Sequence, residues 1–120
     1  MTRTLAIKLT CGAEAAERAN QALTVAAAGI AAGAQVSLWL TGEAVWFAVR
    51  DRVPDLRLPH AAPASDLIRS VLDGGDVRVC SQCAARRDLT DADLLAPAHI
   101  AGAVAFTELV LRDGVQALVY

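Results

Sequence analysis

Residues 76–89 read DVRVCSQCAARRDL, so Cys80 and Cys83 close a valine-rich run with Arg86 and Arg87 just behind them. A thiol pair at this spacing can do three kinds of chemistry. It can take up a sulfane sulfur and carry it as a persulfide, it can cycle between dithiol and disulfide, or it can bind a metal. If a helical turn starts at Ser81, both sulfurs lie at its N-terminal end. Free N–H groups there, with the guanidinium of Arg86 or Arg87, would favour the ionised thiol. The competing reading is bland: a cysteine ending a strand is often a small buried apolar side chain. The CxxC spacing does not by itself choose between them.

The other candidates are weaker. Tetrahedral zinc needs four ligands, and the chain has no second CxxC and no HxxxH, so no metal is expected. His60 reads as a solvated loop residue. His99 reads as a partly buried side chain with a possible supporting role. Cys11 is a lone thiol that reads as structural or incidental before it reads as a supporting site residue. Asp91 and Asp93 read as helix-start charges, not as a catalytic carboxylate pair. No GxGxxG or Walker sequence is present, so no nucleotide cofactor is expected.

These residues need elements to position them. TLAIKLT (4–10) reads as a first strand, 13–32 as an alanine-rich helix stopped by Gly33, and 35–40 as a second strand. EAVWFAV suggests one or two helical turns. Residues 50–63 hold three of the four prolines and read as an irregular loop bordering the site. Ser65 is a good N-cap for a helix over 66–73 ended by Gly74. VRVC is a third strand, Thr90 and Asp93 form a capping-box pattern, and 97–101 is a short fourth strand. Residues 103–112 read as a helix with Glu108 and Arg112 paired at i,i+4, and VQALV as the last strand. Strands that are apolar runs, alternating with helices, predict a single α/β domain over 1–120: a three-layer α/β/α sandwich around a parallel sheet. In such sheets ligands bind beyond the carboxyl ends of the strands. Cys11, the Thr41–Gly42–Glu43 turn, Cys80 and His99 all fall near that rim.

Composition narrows the partners. With 55% hydrophobic and 20% charged residues, the chain is no disordered segment, and it is apolar enough to predict a further buried surface such as an oligomer interface. Trp46 and Phe47 are candidate anchors there, or core residues. A net charge of −2 without a basic block argues against nucleic acid or an anionic membrane as partner. The stretch 19–42 lacks charge, yet Asn20, Gln21, Gly33 and Gln35 interrupt it, so it reads as a buried helix and a buried strand. The Gly29/Gly33 spacing within it reads as close packing of that helix on the sheet. Three cysteines without a secretory leader point to a reducing, cytoplasmic compartment.

The stretches TLAIKLTCG, AAGAQVSLWLTGEAV, LDGGDVRVCSQCAARRDL and HIAGAVAFTELVLRDGVQALVY, in this order, resemble the DsrE/DsrF-like superfamily of small sulfur-relay proteins. The resemblance covers nearly the whole chain. It implies five parallel strands between helices, a homotrimer or homohexamer, and a persulfide carried on the loop cysteine, here Cys80. Protein donors or acceptors of sulfur are implied as partners. The two-cysteine form SQC is more like the homo-oligomeric branch than the dedicated relay subunits. The expected function is sulfur handling by thiol–persulfide exchange without a cofactor, with Cys83 resolving Cys80 and Arg86 or Arg87 supporting it. The rivals are a non-catalytic oligomeric module that binds a small ligand, and a dithiol redox sensor.

Overall fold

The computed structural model describes residues 2–120. Five strands, β1 (Thr4–Leu9), β2 (Gln35–Leu40), β3 (Asp76–Cys80), β4 (His99–Ala101) and β5 (Val115–Val119), form one sheet in the order β4-β3-β2-β1-β5. Every pair is parallel. The helices are α1 (Ala16–Ala31), α2 (Ala64–Gly74), α3 (Ser81–Arg86) and α4 (Ala103–Val110). The EAVWFAV segment is a 3-10 helix, Gly42–Ala48, as its short helical pattern predicts.

The order of strands dictates the layers. From β1 to β4 the chain steps one way across the sheet, then returns from β4 to the far side of β1. Right-handed crossovers put connections of opposite direction on opposite faces. Accordingly α1 and α2 cover one face and α4 crosses the other. On the first face Ile7, Leu9, Leu38, Leu40, Val77 and Val79 are buried with Ala19, Ala22, Leu23 and Ala26 of α1 and Ile68, Val71 and Leu72 of α2. Each fully buried Leu or Ile there contributes roughly 1.5–3 kcal/mol. Alanine dominates α1 because the helix must approach closely. A Cβ on Gly29 would sit 3.0 Å from Val36 Cγ2, and Gly33, at φ +90°, ends the helix in a conformation that favours glycine. Among the described residues no helix is long and apolar enough to cross a membrane.

Four local expectations need correction. Ser65 does not cap α2. The helix starts one residue before it, and the N–H groups of Asp66 and Leu67 donate to the Pro63 carbonyl instead. Gly74 lies inside α2, with Gly75 at its C-terminal cap. Helix α4 stops at Val110, so Arg112 lies beyond it, and no ion pair to Glu108 forms among the described residues. Phe47 is fully buried within its own chain and packs in the core, so it is no surface anchor. By contrast, the capping box of Thr90 and Asp93 forms as the sequence indicates.

Candidate functional site: the thiol crevice at the end of the third strand

Strand β3 ends at Cys80, which serves as N-cap of α3. Its register partner on β4 is Ala101, where that strand also ends. After β3 the chain turns toward the face covered by α1 and α2, where Cys83 and Ala84 of α3 enter the core. After β4 it turns to the opposite face as α4. The two strand ends therefore diverge, and a crevice opens between them at the point where α/β sheets place ligands. Cys80 is at its mouth.

The crevice continues into a cavity of about 40 Å³ lined by Lys8, Trp39, Thr41, Cys80, Phe106 and the Ala101–Ala103 turn. Alternation along the strands explains this set: Lys8 pairs with Trp39 in register, and both point to the face that α4 crosses. Phe106 of α4 packs edge-on against Trp39 with ring centroids 5.3 Å apart, and the Lys8 ammonium lies 5.1 Å from the Phe106 ring. A polar chain fixes the Trp39 wall from below. The indole N–H donates to Ser37 Oγ at 2.9 Å, Ser37 donates to Asp76, and Asp76 accepts from Arg78 at 2.7 Å.

The electrostatics favour an ionised sulfur. Partial burial pushes the Cys80 thiol up. The backbone N–H and thiol of Cys83, the Gln82 N–H and the Lys8 ammonium outweigh it and hold Cys80 below the ordinary thiol value. Cys83 is 8% exposed, and its Sγ accepts the Gly42 N–H at 3.1 Å. A donor chain thus runs from Gly42 through Cys83 to Cys80.

The pattern of one family matches residues 5–119, the DsrE/DsrF-like family. The chain belongs to this family. Two solved structures show the same fold. The ychN protein from E. coli superposes with a TM-score of 0.77 at 16% identity, covering 98% of this chain and 100% of that one. MTH1491 from Methanobacterium thermoautotrophicum, a protein of unknown function, gives a TM-score of 0.66 at 12% identity, with 100% of both chains covered. No curated protein matches the sequence. In the present member of the DsrE/DsrF-like family the expected site residues separate into those the fold brings together and those it does not.

Cys80 and Cys83 adjoin. The cation acting on Cys80 is Lys8, where the sequence pointed to Arg86 or Arg87. Arg86 is exposed at the last turn of α3. Arg87 is held by the Glu43 carboxylate at 2.9 Å and by the Cys83 carbonyl at 3.0 Å. Cys11 is 5% exposed, packs in the core, and does not line the cavity. Burial pushes its thiol up. His99 pairs with Arg78, two residues short of the rim, and is exposed on the edge strand. Among the described residues no three His, Cys, Asp or Glu side chains are grouped to hold a metal. Lys8, Trp39 and Phe106 were not singled out from the sequence as site residues. A charged residue in a central strand is rare unless it has a partner or a task, and that was the available signal for Lys8.

Proposed function

We propose that the protein carries sulfane sulfur as a persulfide on Cys80. The observation that carries this reading is the Cys80 thiol, held below its ordinary value at a crevice mouth with Cys83 as immediate neighbour. Membership of a family whose relatives include sulfur-relay proteins supports it. In the loading step the Cys80 thiolate attacks the outer sulfur of a donor persulfide. A new S–S bond forms, the donor's S–S bond breaks, and the donor leaves as a thiolate. In the unloading step an acceptor thiolate attacks the outer sulfur and regenerates the Cys80 thiolate. Without an acceptor, a Cys83 thiolate can attack Cys80 Sγ, which releases hydrosulfide and leaves the Cys80–Cys83 disulfide. Three free thiols suit a reducing, cytoplasmic setting.

The working unit in this reading is a homo-oligomer. None of the residues of α4 is buried although six of its eight are apolar, and Val104, Leu111 and Val119 are 73%, 77% and 66% exposed. Copies of the chain, as a trimer or hexamer, would cover this face.

Intact mass after exposure to polysulfide tests the function. Gain of one sulfur that is lost in Cys80→Ser supports the carrier. Loss of two hydrogens under mild oxidant, with no sulfur uptake, supports the dithiol sensor. No change under either condition leaves a ligand-binding module with Cys80 as lining.

A further inference from the structure

Lys8 stands in a central strand, between Trp39 of β2 and Val119 of β5 in register. It is the one charged side chain lining the thiol cavity, and no carboxylate pairs with it among the described residues. Phe106 flanks its ammonium on one side and Cys80 shares the cavity with it. The other ionisable groups around the crevice are occupied or turned away. Arg78 is paired with Asp76, Arg87 with Glu43, the Cys83 sulfur is bonded to Gly42, and His99 is exposed lower on β4. Lys8 is partly exposed, and beside the Phe106 ring its ammonium borders a cavity with room for an anion. The anion the cavity can supply is sulfur.

We propose that Lys8 is the positioning cation of this site, pairing with the anionic sulfur of Cys80 and selecting negatively charged reagents for attack there. The first half concerns the thiolate and stands on the cavity alone. The second half rests on the sulfur-carrier reading: after loading, the Cys80 persulfide releases its proton to water, and Lys8 faces the charged terminal sulfur. The natural donor would then be an anion whose negative charge lies beside the sulfur it transfers, such as a polysulfide. A neutral organic trisulfide would load more slowly.

The test compares iodoacetate, an anion, with the neutral iodoacetamide at Cys80 by peptide mass mapping. In the wild type the iodoacetate-to-iodoacetamide rate ratio at Cys80 should exceed that at free cysteine, and added salt should lower it. Lys8→Met should cut the neutral-pH alkylation rate roughly three- to tenfold, move the pH–rate midpoint upward, and abolish the iodoacetate preference. Lys8→Arg should restore the preference. A ratio equal to that of free cysteine in the wild type, or a Lys8→Met profile identical to wild type, overturns the proposal. If Lys8→Met fails to fold, the salt dependence in the wild type decides. Sulfur uptake from polysulfide is scored separately. A wild type that takes up no sulfur but keeps the alkylation preference refutes the carrier reading and leaves the Lys8 pairing intact. Uptake indifferent to Lys8→Met refutes the selection of anionic donors and leaves the carrier.

Discussion

The Gly42 N–H donates to Cys83 Sγ at 3.1 Å, which ties the turn after β2 to the helix after β3. Gly42 can do this because it adopts φ +56°, and a Cβ there would sit 3.1 Å from the Thr10 carbonyl oxygen. Gly42→Ala is therefore expected to cost about 1–2 kcal/mol, the usual penalty for an L side chain in the left-handed region. Urea unfolding should show a lower midpoint at unchanged slope. Cys83 should become more reactive toward alkylating agents as the turn loosens.

Cys80 and Cys11 should separate kinetically. Cys80 is expected to alkylate faster than Cys11 at neutral pH, with a pH–rate midpoint below the free-thiol value of about 8.5. The two thiols also act oppositely on stability. A depressed Cys80 contributes stability that is present above the free-thiol value and lost as pH falls through its folded one. Cys11, pushed up by burial, costs stability as pH rises past the free-thiol value toward its own. Cys11→Ala should accordingly flatten the alkaline fall in thermal midpoint, whereas Cys80→Ser should not.

Phe47 and Leu111 should give contrasting results. Phe47→Ala removes a fully buried ring and should cost about 3–5 kcal/mol. Phe47→Asp should leave the chain unfolded or insoluble, not a soluble smaller assembly. Leu111→Lys falls at the exposed C-terminal cap of α4, where a cation suits the helix dipole. It should keep the circular dichroism spectrum and lower the mass by light scattering. A wild type that already scatters as a monomer, or a Leu111→Lys variant with undiminished mass, would remove that face from consideration as the interface.

The Glu43–Arg87 pair should matter little to the thiol. Glu43 is half exposed, so Arg87→Met should cost less than about 1 kcal/mol. The hydrogen bond from Arg87, then that from Trp46, holds the Glu43 carboxyl below the usual range. Its contribution is present above the unfolded carboxylate value and lost as pH falls through the folded one. Acid titration of the variant should show a smaller loss in that window. The Cys80 alkylation rate should be nearly unchanged, in contrast to the Lys8 variants.

The layers of the fold were legible because the strands are apolar runs and the long helix α1 carries its own stop in Gly33, while the ends of α2 and α4 were displaced by one and two residues. The capping box of Thr90 and Asp93 was legible too, whereas the Ser65 cap and the Glu108–Arg112 pair failed because the helix ends fall elsewhere. Lys8 was not, since what gives it meaning is Phe106 on an element that arrives only by crossing the back of the sheet. Periodicity names the elements but not the order β4-β3-β2-β1-β5. The depth of His99 below the rim is set by its pairing with Arg78, a register, and register comes from packing. Phe47 was ambiguous since a short 3-10 segment has no long face to show which side is inward.

The pairing of Thr4 with Val115, far apart in sequence, has a consequence for how the molecule is made. During synthesis β1, β2 and β3 can assemble while β1 still lacks its outer neighbour. One whole side of its backbone then waits for residues 115–119 to emerge. Closing so long a loop is slow, and an unpaired inner strand is a template for the wrong chain. Lys8, at the carboxyl end of that waiting edge, puts a charge where another nascent chain would otherwise dock. The same residue proposed to pair with the Cys80 sulfur in the finished protein would then act earlier as a guard against mispairing, and neutral substitutions at Lys8 should lower the yield of soluble protein more than they lower its final stability.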